Sequence, residues 1–145
     1  MKCLIQRVKH ASVTIDGKLY SKIGNGILAL LGVEKGDTRE NAEKLADKVT
    51  KLRIFEDEND KMNLSLLDVK GEMLIVSQFT LCGDCKKGTR PSFDKSEKPE
   101  LANQLYEEFV TIVQNAGIKT ATGKFGAMME VELLNDGPVT FMLEK

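Results

Sequence analysis

The chain has 145 residues, 41% hydrophobic and 30% charged, with a net charge of −1. That is the length of one domain, and the near-neutral balance excludes a disordered charged tail and any attraction to nucleic acid by the overall field, so a polyanion would need a local patch. No apolar run approaches the roughly 20 residues of a membrane span, no signal-peptide core opens the chain, and three cysteines form no disulfide framework; the expectation is one reduced, cytoplasmic domain over residues 1–145.

Cys3 to Ile15 is rich in β-branched and aliphatic residues and stops at Asp16-Gly17, a dipeptide that tight hairpins favour. Leu19 to Ile23 is the expected return strand. Asn25-Gly26 repeats the turn chemistry, and Ile27 to Val33 follows without polar alternation, as a central strand does. Asp37 is the expected N-cap of a helix, with Glu40 as its capping-box partner, and Ala42, Leu45, Ala46, Val49 and Leu52 recur at helical spacing. The acidic loop Glu56 to Asp60 lacks the glycine and the closing glutamate of an EF-hand loop, so calcium is not expected there. Leu64, Leu66 and Val69 give a weak strand signal.

Met73-Leu74-Ile75-Val76, preceded by Gly71, reads as a strand buried on both faces. It is a rigid mount for Ser77-Gln78-Phe79-Thr80-Leu81 and for the polar loop beyond, which carries Lys86, Lys87 and Arg90. Neutral hydrogen-bonding groups followed closely by positive charge suit the ester or carbonyl of an anionic substrate. An ordinary solvated turn is the plain alternative. Pro99 opens a second helix, whose apolar stripe runs through Leu101, Leu105, Phe109, Ile112 and Val113 to Ala116-Gly117. Lys119 to Thr122, Met128 to Leu134 and Val139 to Leu143 are the last candidate strands. Asn135-Asp136-Gly137-Pro138 is the densest turn signal in the chain and predicts a reversal between the final two. The order β-β-β-α-β-β-α-β-β-β predicts an α+β fold with a mixed, mostly antiparallel sheet and two covering helices.

The inventory of reactive groups is short. His10 is the only histidine and lies far along the chain from Thr80 and Cys82, so a hydroxyl or thiol nucleophile has no nearby base in sequence. Zinc-hydrolase ligation is poorly supplied, and phosphate-loop and dinucleotide fingerprints are absent. An enzyme equipped in this way acts on an already activated bond. Cys82-Gly83-Asp84-Cys85 leaves three readings open: a redox pair, half of a four-cysteine zinc site completed across a dimer, or coincidence.

Ser77-Gln78-Phe79-Thr80-Leu81, Gly88-Thr89-Arg90-Pro91-Ser92-Phe93 and Asn135-Asp136-Gly137-Pro138-Val139-Thr140, in that order, resemble the D-aminoacyl-tRNA deacylase family. The resemblance runs from Ile5-Gln6-Arg7-Val8 to the final strand. It implies a sheet curled into a barrel-like core, and a cytoplasmic homodimer without metal or organic cofactor that hydrolyses the ester between a D-amino acid, or glycine, and the tRNA 3′ adenosine. It places Ser77, Gln78, Phe79 and Thr80 at the scissile ester. It makes Gly137-Pro138 a cis peptide that enters the partner subunit's pocket and rejects L side chains, with Arg7 as its anchor. Phe125, Met128 and Met129 would hold the adenine, and Lys86, Lys87 and Arg90 would meet acceptor-stem phosphates. Two routes to hydrolysis stay open: Thr80 as nucleophile, or a water assisted by the tRNA 2′-hydroxyl with backbone N–H groups on the oxyanion. The second is favoured, because nothing in sequence activates a threonine hydroxyl. The chain departs from the commoner family pattern at Cys82 and Cys85, which leaves open a redox-sensitive pocket rim. The rival reading is a non-catalytic nucleic-acid-binding module that uses the same basic loop.

Overall fold

Asp16 and Gly17 both take positive φ, 51° and 72°, so the chain reverses within two residues. Strand β2 (Lys18–Ile23) thereby returns antiparallel along the second half of β1 (Lys2–Ile15). The computed structural model describes residues 1–145. After β2, strand β3 (Gly26–Gly32) pairs antiparallel with the first half of β1. Helix α1 (Arg39–Lys51) follows, then a small antiparallel ribbon of β4 (Phe55–Glu56) and β5 (Met62–Leu64). Strand β6 (Glu72–Ser77) lies parallel to β3, and helix α2 (Pro99–Asn115) leads into β7 (Lys119–Thr122), parallel to β6. The last strand, β8 (Glu130–Glu144), runs antiparallel along the whole of β1.

The sheet order is β2-β1-β3-β6-β7 with β8 on the other side of β1. Ser21 Oγ donates to the Thr122 carbonyl at 2.7 Å, which ties β2 to β7 and nearly closes the sheet into a barrel. The mixed, mostly antiparallel α+β architecture with two helices is therefore the one expected from the sequence.

Period-two alternation divides the interior in two. Ile27, Ala29 and Leu31 of β3 and Met73 and Ile75 of β6 face the helices, where they meet Leu45 and Val49 of α1 and Leu105, Phe109 and Val113 of α2. Leu28, Leu74 and Val76 face the barrel interior with Val8, Ala11, Val13 and Ile23. The uninterrupted apolar runs of β3 and β6 are explained by burial on both faces. In β1 the phase changes: Cys3 and Ile5 join the helix-side core, but Ala11 and Val13 join the barrel interior. An irregularity in the β1–β8 register near Lys9 and His10 absorbs the odd residue and leaves His10 exposed.

Three local expectations are corrected. The N-cap of α1 is Thr38, and its partner is Asn41 rather than Glu40: Asn41 Oδ1 accepts from the Thr38 N–H at 2.8 Å and from its hydroxyl at 2.9 Å. Asp37 is engaged elsewhere, taking the Met1 ammonium at 2.6 Å and the Glu34 N–H at 2.6 Å. Leu66 and Val69 are not in a strand. They belong to a tight turn closed by the Gly71 N–H to the Leu66 carbonyl at 3.0 Å, and Leu66 is buried there as a plug. The third correction is the largest. Asn135 to Pro138 does not reverse the chain, because the segments before and after it both pair with β1, in one direction. It is an irregularity inside a single strand. Asn135 Nδ2 donates to the Arg7 and Val139 carbonyls at 3.0 and 3.1 Å, supplying across the break the bonds that the ladder loses.

Candidate active site

Strand β6 ends against β3: the Gln78 N–H donates to the Leu31 carbonyl at 2.7 Å, and the chain then tightens into a 3₁₀ turn over Phe79–Cys82. The first bond of that turn is from the Leu81 N–H to the Gln78 carbonyl, so the N–H groups of Phe79 and Thr80 precede it and are not used by it. The Gln78 amide donates to Thr80 Oγ1, which fixes both polar side chains beside those N–H groups. Cys82 ends the turn, buried, with its thiol on the Val33 carbonyl at 3.4 Å.

Ser77, Gln78 and Phe79 form one wall of a cavity of about 490 Å³, and Phe125, Met128 and Met129 form another. The loop between β7 and β8 brings these six residues together from positions nearly fifty residues apart. Phe125 is braced from behind by Tyr106, with ring centroids 6.1 Å apart. Tyr106 in turn donates its hydroxyl to the Ile75 carbonyl at 2.8 Å, and burial pushes that phenol up to about 12. The wall is thus fixed to the strand that carries Ser77. Phe79 is 55% exposed and meets Phe93 edge-on at 5.1 Å, while Met128 is 90% exposed at the mouth. Thr80 does not line the cavity; it stands beside it, held by Gln78. Glu97, just before α2, and Pro99 and Ala102, at its start, complete the lining and carry no sequence signal of such a role.

Arg7 lies elsewhere, 6% exposed, on the helix side of β1. Its Nη1 donates to the Ile54 carbonyl at 2.8 Å and its Nε to the Asp136 carbonyl at 2.9 Å, with the Asp136 carboxylate at 3.3 Å and that of Glu56 at 3.5 Å. The guanidinium therefore fixes the backbone immediately before Gly137-Pro138, which is a cis peptide. A Cβ at Gly137 would come within 2.1 Å of Asn135 Oδ1, so only glycine leaves room for the Asn135 amide to hold the strand together. Gly137 and Pro138 are exposed, and neither lines the Ser77 to Met129 cavity. The structure does not bring these two parts together within one chain.

The basic loop is pinched at its base, where Asp84 and Ser92 exchange backbone bonds of 2.7 and 3.0 Å. Asp84 Oδ1 accepts the Lys86 N–H at 2.9 Å, a bond that, helped by Lys95, holds the Asp84 carboxyl below its ordinary range. Lys86, Lys87 and Arg90 are all exposed on this loop. Cys82 and Cys85 are free thiols, the first buried and pushed up by that burial, the second exposed. No group of three or more His, Cys, Asp or Glu side chains is arranged to hold a metal ion.

A family model described as D-Tyr-tRNA(Tyr) deacylase matches residues 4–144. Among similar proteins, a D-aminoacyl-tRNA deacylase from Thermosipho africanus is 58% identical over 99% of this chain and 97% of its own. One from Desulfatibacillum aliphaticivorans is 60% identical over 99% of both chains. Among solved structures, a c-Myc DNA unwinding element binding protein is 42% identical with a TM-score of 0.94, covering 100% of this chain and 99% of that one. A probable eukaryotic D-amino acid tRNA deacylase, 18% identical, shares the fold at a TM-score of 0.84 over 99% and 98% of the two chains.

Proposed function

The chain belongs to the D-Tyr-tRNA(Tyr) deacylase family, and we propose that it hydrolyses the ester that joins a D-amino acid to the 3′ adenosine of tRNA. The observation that carries this reading is the cavity that Ser77, Gln78 and Phe79 line together with Phe125, Met128 and Met129. The first wall offers hydrogen-bonding groups to an ester. The second offers apolar and aromatic surface to a purine. No histidine lies in this cavity, and an aminoacyl ester needs none: it is activated enough for positioning and oxyanion stabilisation to supply much of the acceleration.

In this mechanism a water attacks the ester carbonyl, and the tRNA 2′-hydroxyl, next to the reacting oxygen, assists its deprotonation. The Phe79 and Thr80 N–H groups hold the tetrahedral oxyanion. Collapse expels the 3′-oxygen, which takes a proton, leaving free amino acid and tRNA. Thr80, bonded to Gln78 and without a base, positions the turn and is not the nucleophile.

Chirality is read by a second subunit. Gly137 and Pro138 are exposed, fixed by Arg7 and absent from their own subunit's cavity, which suits insertion into a partner's. Their carbonyls would occupy the space that an L side chain needs, and glycine, with no side chain, would pass the filter as a substrate. Exposed Phe79, Leu134, Phe141 and Met142 supply apolar surface for the homodimer. Lys86, Lys87 and Arg90 would meet acceptor-stem phosphates, giving the near-neutral chain the local patch that a polyanion requires. This reaction belongs in the cytoplasm, where tRNA is charged.

One observation favours a second reading: the 42% identical structural relative is named for binding a DNA unwinding element. A binding module would hold the ester intact. Purified protein incubated with D-tyrosyl-tRNA carrying labelled tyrosine separates the two. Release of free D-tyrosine over many turnovers is expected; bound, intact aminoacyl-tRNA without release would overturn the hydrolase reading.

A further inference from the structure

Phe125 lines the cavity described above and also a second one. The second cavity is about 320 Å³ and is lined also by Tyr20 of β2, Asn103 and Glu107 of α2, and Lys124. We propose that this second cavity receives the nucleotide that precedes the terminal adenosine, so that the single-stranded 3′ end of the tRNA is gripped at two successive bases.

The chemistry of the lining points to a nucleotide. Tyr20 is 50% exposed and lines the cavity, an aromatic side chain of the kind on which single strands stack without regard to sequence. Lys124 adjoins Phe125 in the chain, is exposed and lines this cavity, so it supplies a cation beside the shared residue for the phosphate that links the two nucleotides. Asn103 Nδ2 donates to Glu107 Oε1 at 3.0 Å, and this pair presents both a carboxylate and an amide to the cavity. A carboxylate acceptor suits the exocyclic amine of cytosine, the base at that position of a CCA end. The floor is rigid, because the Thr122 carbonyl at its edge is held by Ser21 and Tyr106 is fixed to Ile75. An anion alone would not use an aromatic face, and an apolar ligand would leave Glu107 and Lys124 without purpose.

The inference rests on reading the Ser77 to Met129 cavity as the ester and adenosine pocket, and one experiment distinguishes the two claims. D-Tyrosyl esters of adenosine, of the CCA trinucleotide and of full-length tRNA are hydrolysed by wild type, Tyr20→Ala, Tyr20→Phe and Lys124→Ala, and kcat and KM are measured separately. Tyr20→Ala is expected to raise KM about tenfold for the trinucleotide and the tRNA relative to the adenosine ester, with Tyr20→Phe restoring most of it. Lys124→Ala should act on the same two substrates and more strongly at low salt. Equal loss on all three esters, or no loss on the trinucleotide, would overturn the second subsite and leave the first intact. Failure of wild type to hydrolyse any ester would overturn both.

Discussion

Replacing Arg7 with alanine removes one side chain that holds two distant segments. The guanidinium is 6% exposed and donates to the Ile54 carbonyl at 2.8 Å and the Asp136 carbonyl at 2.9 Å. A hydrogen bond from a charged donor contributes about 1.5–3 kcal/mol, and both carbonyls lose their partner at once. The Glu56 carboxylate at 3.5 Å sits on a side chain 53% exposed, so screening limits that ion pair to a few tenths of a kcal/mol, roughly. The expected loss is therefore about 3–6 kcal/mol in urea unfolding, and Arg7→Lys, with one compact ammonium in place of a fork, should recover less than half of it. The same variant should relax discrimination between D- and L-tyrosyl-tRNA, because the backbone before Gly137-Pro138 is no longer fixed. A loss below about 1 kcal/mol with unchanged discrimination would refute the assignment of Arg7 as the anchor.

Alkylation by iodoacetamide in the native state should modify Cys85 alone. The Cys82 thiol is buried and pushed up, and Cys3 is pushed up to about 12 by burial, so neither offers thiolate; mass spectrometry showing early modification at Cys82 would contradict this. Removing Lys86, Lys87 and Arg90 together should weaken all tRNAs alike and reduce the salt dependence of binding, by about 0.7–0.9 in the log–log slope for each phosphate no longer neutralised. The Lys119 ammonium, 2.8 Å from Glu72, holds that carboxyl below its ordinary range. A depressed folded value means that its stabilisation is present above the unfolded carboxylate value and is lost as pH falls through the folded one. Carbon-13 NMR should accordingly find Glu72 titrating upward in Lys119→Met, with a shallower acid loss of stability than wild type.

The elements that sequence reads well here are those whose own pattern decides them. β3 and β6 are continuous apolar runs because both faces are covered, and the Asp16-Gly17 hairpin follows from two consecutive residues that tolerate positive φ. Asn135 to Pro138 misleads because the residues that favour a reversal are also those that a break within a strand needs: an amide to bridge the gap, a glycine with no Cβ, and a proline with no N–H to satisfy. Which of the two forms depends on whether the flanks pair with each other or with a third strand, and only β1 decides that. Asp37 misleads in the same way, since a good capping residue is drawn off by the Met1 ammonium, which β1 brings beside the end of β3. Within the site, the local pattern already marks Ser77 to Thr80 as groups suited to an ester, whereas the Phe125 to Met129 group comes from resemblance alone. Their meeting in one cavity and the absence of Gly137-Pro138 from it are tertiary facts.

The decisive rates are those at which wild type and Pro138→Ala hydrolyse D-tyrosyl-tRNA and L-tyrosyl-tRNA, measured side by side. D-specific turnover is expected of wild type, and in the variant either relaxed chirality or lost activity. Equal turnover of both esters by wild type, or a variant as selective as wild type, would contradict the claim that the exposed Gly137-Pro138 reads chirality in the partner's pocket.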